Sequence, residues 1–170
     1  DWSFYDGHFY ANKAPGTILM GVAAYLPMYW LQRALGVNPH GPAVEVFNAY
    51  WINLLVSGVV VALGLVWARR LFRASGVGDT AAWFLAWVLG FCTMLWPYSV
   101  QFWGHPTAAA WICMGLYGIW TGSRRAAPAS GCALGMAVLC EYSCALTVVL
   151  AGAYLVVSDR RRVGLFVAGG

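Results

Sequence analysis

An all-α, polytopic membrane helix bundle is the fold class this sequence predicts, with about five transmembrane helices and interfacial helices in an outer loop. Three observations predict it. Hydrophobic residues make up 61% of the chain and charged residues 9%, against roughly 45–50% and about 25% in a soluble domain. Mean hydropathy is +0.66. The charges that remain are clustered between apolar runs and not spread along helix faces, so the net charge of +4 carries no nucleic-acid signature and nucleic acid is not an expected partner.

The first element is the polar-aromatic stretch Asp1 to Tyr10, read as an exposed loop, followed by Asn12-Lys13-Ala14-Pro15-Gly16-Thr17. Lys13 is the sole lysine of the chain. Pro15 suits the start of a helix, where its missing N–H has no intrahelical partner to lose. Such a helix directs its free N–H groups and positive dipole end back toward Lys13, and helix N-termini bind phosphate and carboxylate groups for that reason. Asp1, Asp6 and His8 lie just before it. Together these residues describe a site for an amphiphilic anion at a membrane surface; the alternative for Lys13 is a side chain snorkelling out of the interface.

Residues 17–35 approach the length of a span but carry Pro27 in the middle and Gln32-Arg33 near the end. They are expected to lie in the outer leaflet as interfacial helices broken at Pro27, anchored by Tyr25, Tyr29 and Trp30. A span follows over Phe47 to Ala68, ending in Arg69-Arg70-Leu71-Phe72-Arg73, and another over Ala81 to about Trp96. The aromatic loop Pro97 to Pro106 precedes a span from Thr107 to Thr121, closed by Arg124-Arg125. Ala127–Cys140 and Tyr142–Val157 are two short apolar runs divided by Glu141, and Asp159-Arg160-Arg161-Arg162 ends the second. Gly131-x-x-x-Gly135 is a close-packing helix face. Two regions result: a first outer loop over 1–46 and a transmembrane bundle over 47–170.

Arginine placement sets the topology, since basic loops stay cytoplasmic. With 47–68 running inward and 127–157 folded as a short hairpin, eight arginines and two aspartates fall inside. Lys13 and Arg33 fall outside with Asp1, Asp6, Glu45 and Glu141. A single span over 127–157 would split the arginine clusters between the two sides. The same arrangement brings Tyr98, His105 and Glu141 to the outer face. Ionisable groups at membrane depth are costly and mark sites or pathways. Glu141 also reads as a wet carboxylate at a hairpin tip, His105 as a helix-start residue, and the aromatics of 96–103 as an interfacial belt or a surface for stacking a sugar. The five cysteines contain no C-x-x-C pair and read as small packing residues.

The runs YDGHFYANKAPGTILMGVAAYLP, WPYSVQFWGHPTAAA and GCALGMAVLCEYSCAL resemble bacterial members of the C-type superfamily of membrane glycosyltransferases. These are related to the protein O-mannosyltransferases and the lipid A aminoarabinose transferase. The first of the three carries the specific part of the resemblance. It implies an inner-membrane, multi-pass enzyme that transfers a sugar from a polyprenyl-phosphate donor, at the outer face, to an acceptor the sequence does not specify. Membrane lipids are its other expected partners. On this resemblance Asp1 and Asp6 are the candidates for the base that deprotonates or orients the acceptor, and Lys13 meets the donor phosphate. His8, His105, Glu141 and Tyr98 form a possible surrounding shell. Asp1 and Asp6 do not make a D-x-D pair, so neither a metal nor another cofactor is expected. The family's first helix would precede Asp1, which makes the chain a piece of a longer protein, expected to be inactive alone. Rival classes are a transporter or lipid-flipping protein, for which no second copy of the Lys13 motif is found, and a non-catalytic lipid-binding scaffold.

Overall fold

A computed structural model describes residues 2–11 and 13–170; Asp1 and Asn12 lie outside the described residues. The chain is predominantly helical, as expected. Residues expected to form a loop make a β-hairpin, β1 (Trp2–Tyr5) paired antiparallel with β2 (His8–Ala11), Tyr5 opposite His8. Its cause is local: Asp6 and Gly7 both have positive φ, 48° and 78°, as a two-residue Asp-Gly turn demands. Phe4 and Phe9 pack across the strands with ring centroids 4.9 Å apart.

Helix α1 (Gly16–Ala34) begins just after Pro15, as the sequence predicts, but it is not broken at Pro27. Contacts flank the proline on both sides. Before it, Gly21 lies against the Phe102 ring. After it, the buried amides of Gln32 and Asn48 bond each other, Gln32 Nε2 donating to Asn48 Oδ1 at 2.6 Å.

Asn48 belongs to α2 (Pro42–Asn53), which continues through a π-helical segment (Leu54–Val59) into α3 (Val60–Ala74). This continuous helix of 33 residues begins before the expected Phe47, so it runs across the 46/47 boundary between the two expected regions. Among the described residues it is the helix both long and apolar enough to cross a membrane. Then follow α4 (Asp79–Phe91), the short α5 (Leu95–Ser99), α6 (Gly104–Trp120) and α7 (Ala126–Cys140). The expected span to Trp96 thus stops at Phe91. A 3-10 turn (Tyr142–Cys144), α8 (Ala145–Ser158) and α9 (Arg160–Gly169) complete the chain. The break at Glu141 is where the sequence puts it. The segments α4, α7 and Tyr142–Ser158 are apolar but shorter than a full span.

Small residues form the seams. Gly64 of α3 approaches Ala110 of α6, and Gly115 of α6 approaches Leu134 of α7, the close backbone approach that small residues permit between apolar helices. The Gly131/Gly135 face packs as expected, its partner being the backbone of α9 at Phe166 and Gly170. Ile119, Leu134, Ala151, Leu155 and Phe166 form one core cluster, and Ala108, Ala137, Cys140 and Cys144 a second.

Helix direction sorts the charges. Trp120 Nε1 donates to the Ala74 carbonyl at 3.1 Å, and the Arg162 guanidinium donates to the carbonyls of Gly118 and Ile119 at 3.0 and 3.1 Å. These bonds bring the ends of α3 and α6 and the start of α9 together, so the three arginine clusters share one end of the bundle. At a rise of 1.5 Å per residue, the opposite end of α6 lies about 25 Å away.

Candidate functional site

At that opposite end three chain segments meet around a cleft of about 480 Å³. Lys13, Ala14, Thr17 and Ile18 come from the start of α1; Phe102, Trp103, Gly104 and His105 from the start of α6; and Cys140, Glu141 and Tyr142 from the break after α7. Two glycines permit the meeting. A Cβ on Gly16 would stand 2.5 Å from the Leu139 carbonyl carbon and 2.7 Å from the Cys140 nitrogen, and one on Gly104 would collide with the Cys140 carbonyl oxygen. Any other residue at either position would push a wall of the cleft outward.

Glu141 sits in extended backbone (φ −155°, ψ 112°) between α7 and the 3-10 turn. Its half-buried carboxylate lies 2.9 Å from Nδ1 of the exposed His105. With Nδ1–H donated to Glu141, Nε2 of the imidazole becomes the proton-accepting nitrogen. The ring stacks on Trp103 (centroids 6.1 Å apart, planes at 22°) and meets Tyr98 edge-on at 6.0 Å. Trp103 is in turn oriented by its Nε1–H, which donates to Gln101 Oε1 at 2.7 Å.

The aromatic loop is clamped to the long helix. Asn53 Nδ2 donates to the Val100 carbonyl at 2.7 Å and Ser57 Oγ to the Gln101 carbonyl at 2.9 Å. Ser57 is fully buried and lies within the π-helical segment, the kind of local distortion that often accompanies functional sites. His105 and Tyr98 also border a second, almost wholly apolar cavity of about 560 Å³ between α3, α4, α5 and α6. Val61, Leu65, Leu89, Met94 and Leu95 line it. His105 thus borders both the cleft and the apolar cavity.

Lys13, His105 and Glu141, picked out separately in the sequence, are neighbours, with Tyr98 against His105. Asp6 and His8 are not among the residues that line the cleft. Asp6 occupies the hairpin turn and His8 follows it in β2, both exposed. Asp1 lies outside the described residues. Thr17, Asn53 and Ser57 were missed by sequence reasoning. A lone hydroxyl at Ser57 inside an apolar run was a signal, because buried polar groups in apolar helices require partners. Thr17 offered none beyond its place in a helix start. Among the described residues, no group of three or more His, Cys, Asp or Glu side chains is arranged to hold a metal ion. No protein-family model, curated protein or solved structure matches the chain.

Proposed function

We propose that this protein is a polytopic inner-membrane glycosyltransferase of the C-type superfamily. It takes a polyprenyl-phosphate sugar and passes the sugar to an acceptor at the extracytoplasmic face. The observation that carries the reading is the convergence of Lys13, His105 and Glu141 in one cleft, with His105 also bordering an apolar cavity. An amphiphilic phosphate needs those two environments side by side. The membrane setting is supported by the long helix, of whose apolar window only 28% is buried, whereas the core helix of a soluble protein is mostly covered. The gathering of the arginine clusters at the end remote from the cleft agrees with a cytoplasmic arginine face.

The chemistry follows from the roles these groups suit. The acceptor hydroxyl attacks the anomeric carbon and the bond from that carbon to the phosphate oxygen breaks. The phosphate leaves with an added negative charge, which Lys13 stabilises more in the transition state than before it. The acceptor's proton passes to a base. His105, oriented through Nδ1 by Glu141, has the positioned geometry for that role, whereas Asp6 sits in the hairpin turn and is not among the residues that line the cleft. We therefore assign the base to the His105–Glu141 pair in preference to Asp6.

The test is binding of a polyprenyl phosphate to the intact protein in nanodiscs, wild type against Lys13→Ala, beside a sugar-transfer assay. Removing the cation is expected to weaken binding by about 1–3 kcal/mol and to depress transfer at least as much. Unchanged binding would make Lys13 an interfacial anchor and remove the phosphate from this cleft. Full binding with no transfer by the wild type would favour a lipid-binding or lipid-flipping protein.

A further inference from the structure

The cleft is the meeting point of two helix starts, and neither is capped by a side chain. Pro15 precedes α1 and Trp103 precedes α6, and neither side chain bonds the first turn. The first backbone bond of α1 runs from Leu19 N to the Pro15 carbonyl, which leaves the N–H groups of Gly16, Thr17 and Ile18 without intrahelical partners. Between the two helix starts lies the Thr17 hydroxyl. Thr17 is 6% exposed, and its Oγ1 is sealed from solvent without a hydrogen bond. The thiol of Cys140 beside it is a weak partner at best. A Cβ on Gly104 would stand 3.3 Å from that oxygen, which locates the hydroxyl at the first residue of α6. A buried hydroxyl without a good partner destabilises the fold. A ligand that accepts its proton recovers that cost.

We propose that these groups form an oxyanion cradle: a phosphate monoester or diester group sits between the starts of α1 and α6 and accepts hydrogen bonds from Thr17 Oγ1 and the first-turn N–H groups. Two positive dipole ends and Lys13 balance its charge. Glu141, the carboxylate among the described lining residues, is tied to His105 and does not occupy the cradle. The inference rests on the reading of the cleft as a donor site, and it adds that Thr17 and two helix starts hold the phosphate together with Lys13.

The probes are a polyprenyl phosphate, the matching polyprenol and inorganic phosphate, each titrated against the intact protein in nanodiscs. Wild type is expected to bind the phosphorylated lipid at least about tenfold more tightly than the alcohol. Thr17→Val keeps the side-chain shape and removes the donor; it should cost about tenfold in affinity for the phosphorylated lipid and nothing for the alcohol. Thr17→Ser should restore binding. Inorganic phosphate, if it binds alone and loses affinity in Thr17→Val, marks a site for free phosphate and still supports the cradle. Wild-type affinity in Thr17→Val would overturn it, as would equal losses for lipid phosphate and alcohol. A Lys13→Ala defect without a Thr17→Val defect would sink the cradle and leave the transferase reading standing. The cradle intact in a protein that transfers no sugar would do the reverse.

Discussion

The two ends of the α6–α7 pair are built from similar sequence, apolar helices with small residues along their seam, yet their polar groups fare differently. At the arginine end, helix C-termini meet donors: Arg162 reaches the Gly118 and Ile119 carbonyls, Trp120 reaches Ala74, and Arg69 pairs with Asp79 while lying over the Trp83 ring at 4.3 Å. Single Nε atoms of Arg69 and Arg162 are the buried side-chain atoms without a hydrogen bond there, among the described residues. At the cleft end, two helix N-termini lack side-chain caps, as do the starts of α4 and α7 at the other end, but here a threonine hydroxyl is also buried with only the Cys140 thiol beside it, and a His–Glu pair stands near. The arginine end ties the C-termini of α3 and α6 with side-chain donors, which stabilises the fold. The other leaves its donors open, which a folded protein tolerates where a ligand completes the set.

Substitutions at the two ends should therefore separate stability from function. The largest effect is expected at the cleft. His105→Ala should lower sugar transfer by about 100-fold or more, the usual contribution of a positioned general base, with the thermal midpoint unchanged. Transfer at the wild-type rate would return the base to Asp1 or Asp6. Next comes Arg162→Met at the other end, which removes two charge-assisted bonds to the end of α6. About 2–3 kcal/mol of stability should be lost, read by denaturation in detergent, with polyprenyl-phosphate affinity kept among the molecules that remain folded. A binding loss without destabilisation would show that the ends are not independent. The smallest effect is expected at the hairpin. Asp6→Ala places a residue less suited to positive φ in the turn and should cost about 1 kcal/mol locally, seen as faster amide exchange in β1 and β2, with transfer nearly unchanged. Abolished transfer would restore Asp6 as the base.

Much of this was legible in the residues. The apolar composition, the helix start after Pro15, the break at Glu141 and the packing face at Gly131 and Gly135 are local signals, and the structure carries each of them. The hairpin was legible too, through Asp6-Gly7, but aromatic composition concealed its turn chemistry. The continuity of α1 through Pro27 was not, because it depends on Gln32 finding Asn48 and Gly21 finding Phe102. Sequence alone identified Lys13, His105 and Glu141 as unusual, since ionisable groups in apolar surroundings are costly wherever the chain later puts them. Only the tertiary structure joined them. Gly16 and Gly104 had to bring two helix starts against the end of α7, and such an approach depends on backbone distances between segments far apart in the chain. For the same reason Thr17, unremarked within a helix start, became a buried donor with only the Cys140 thiol beside it when α6 closed over it.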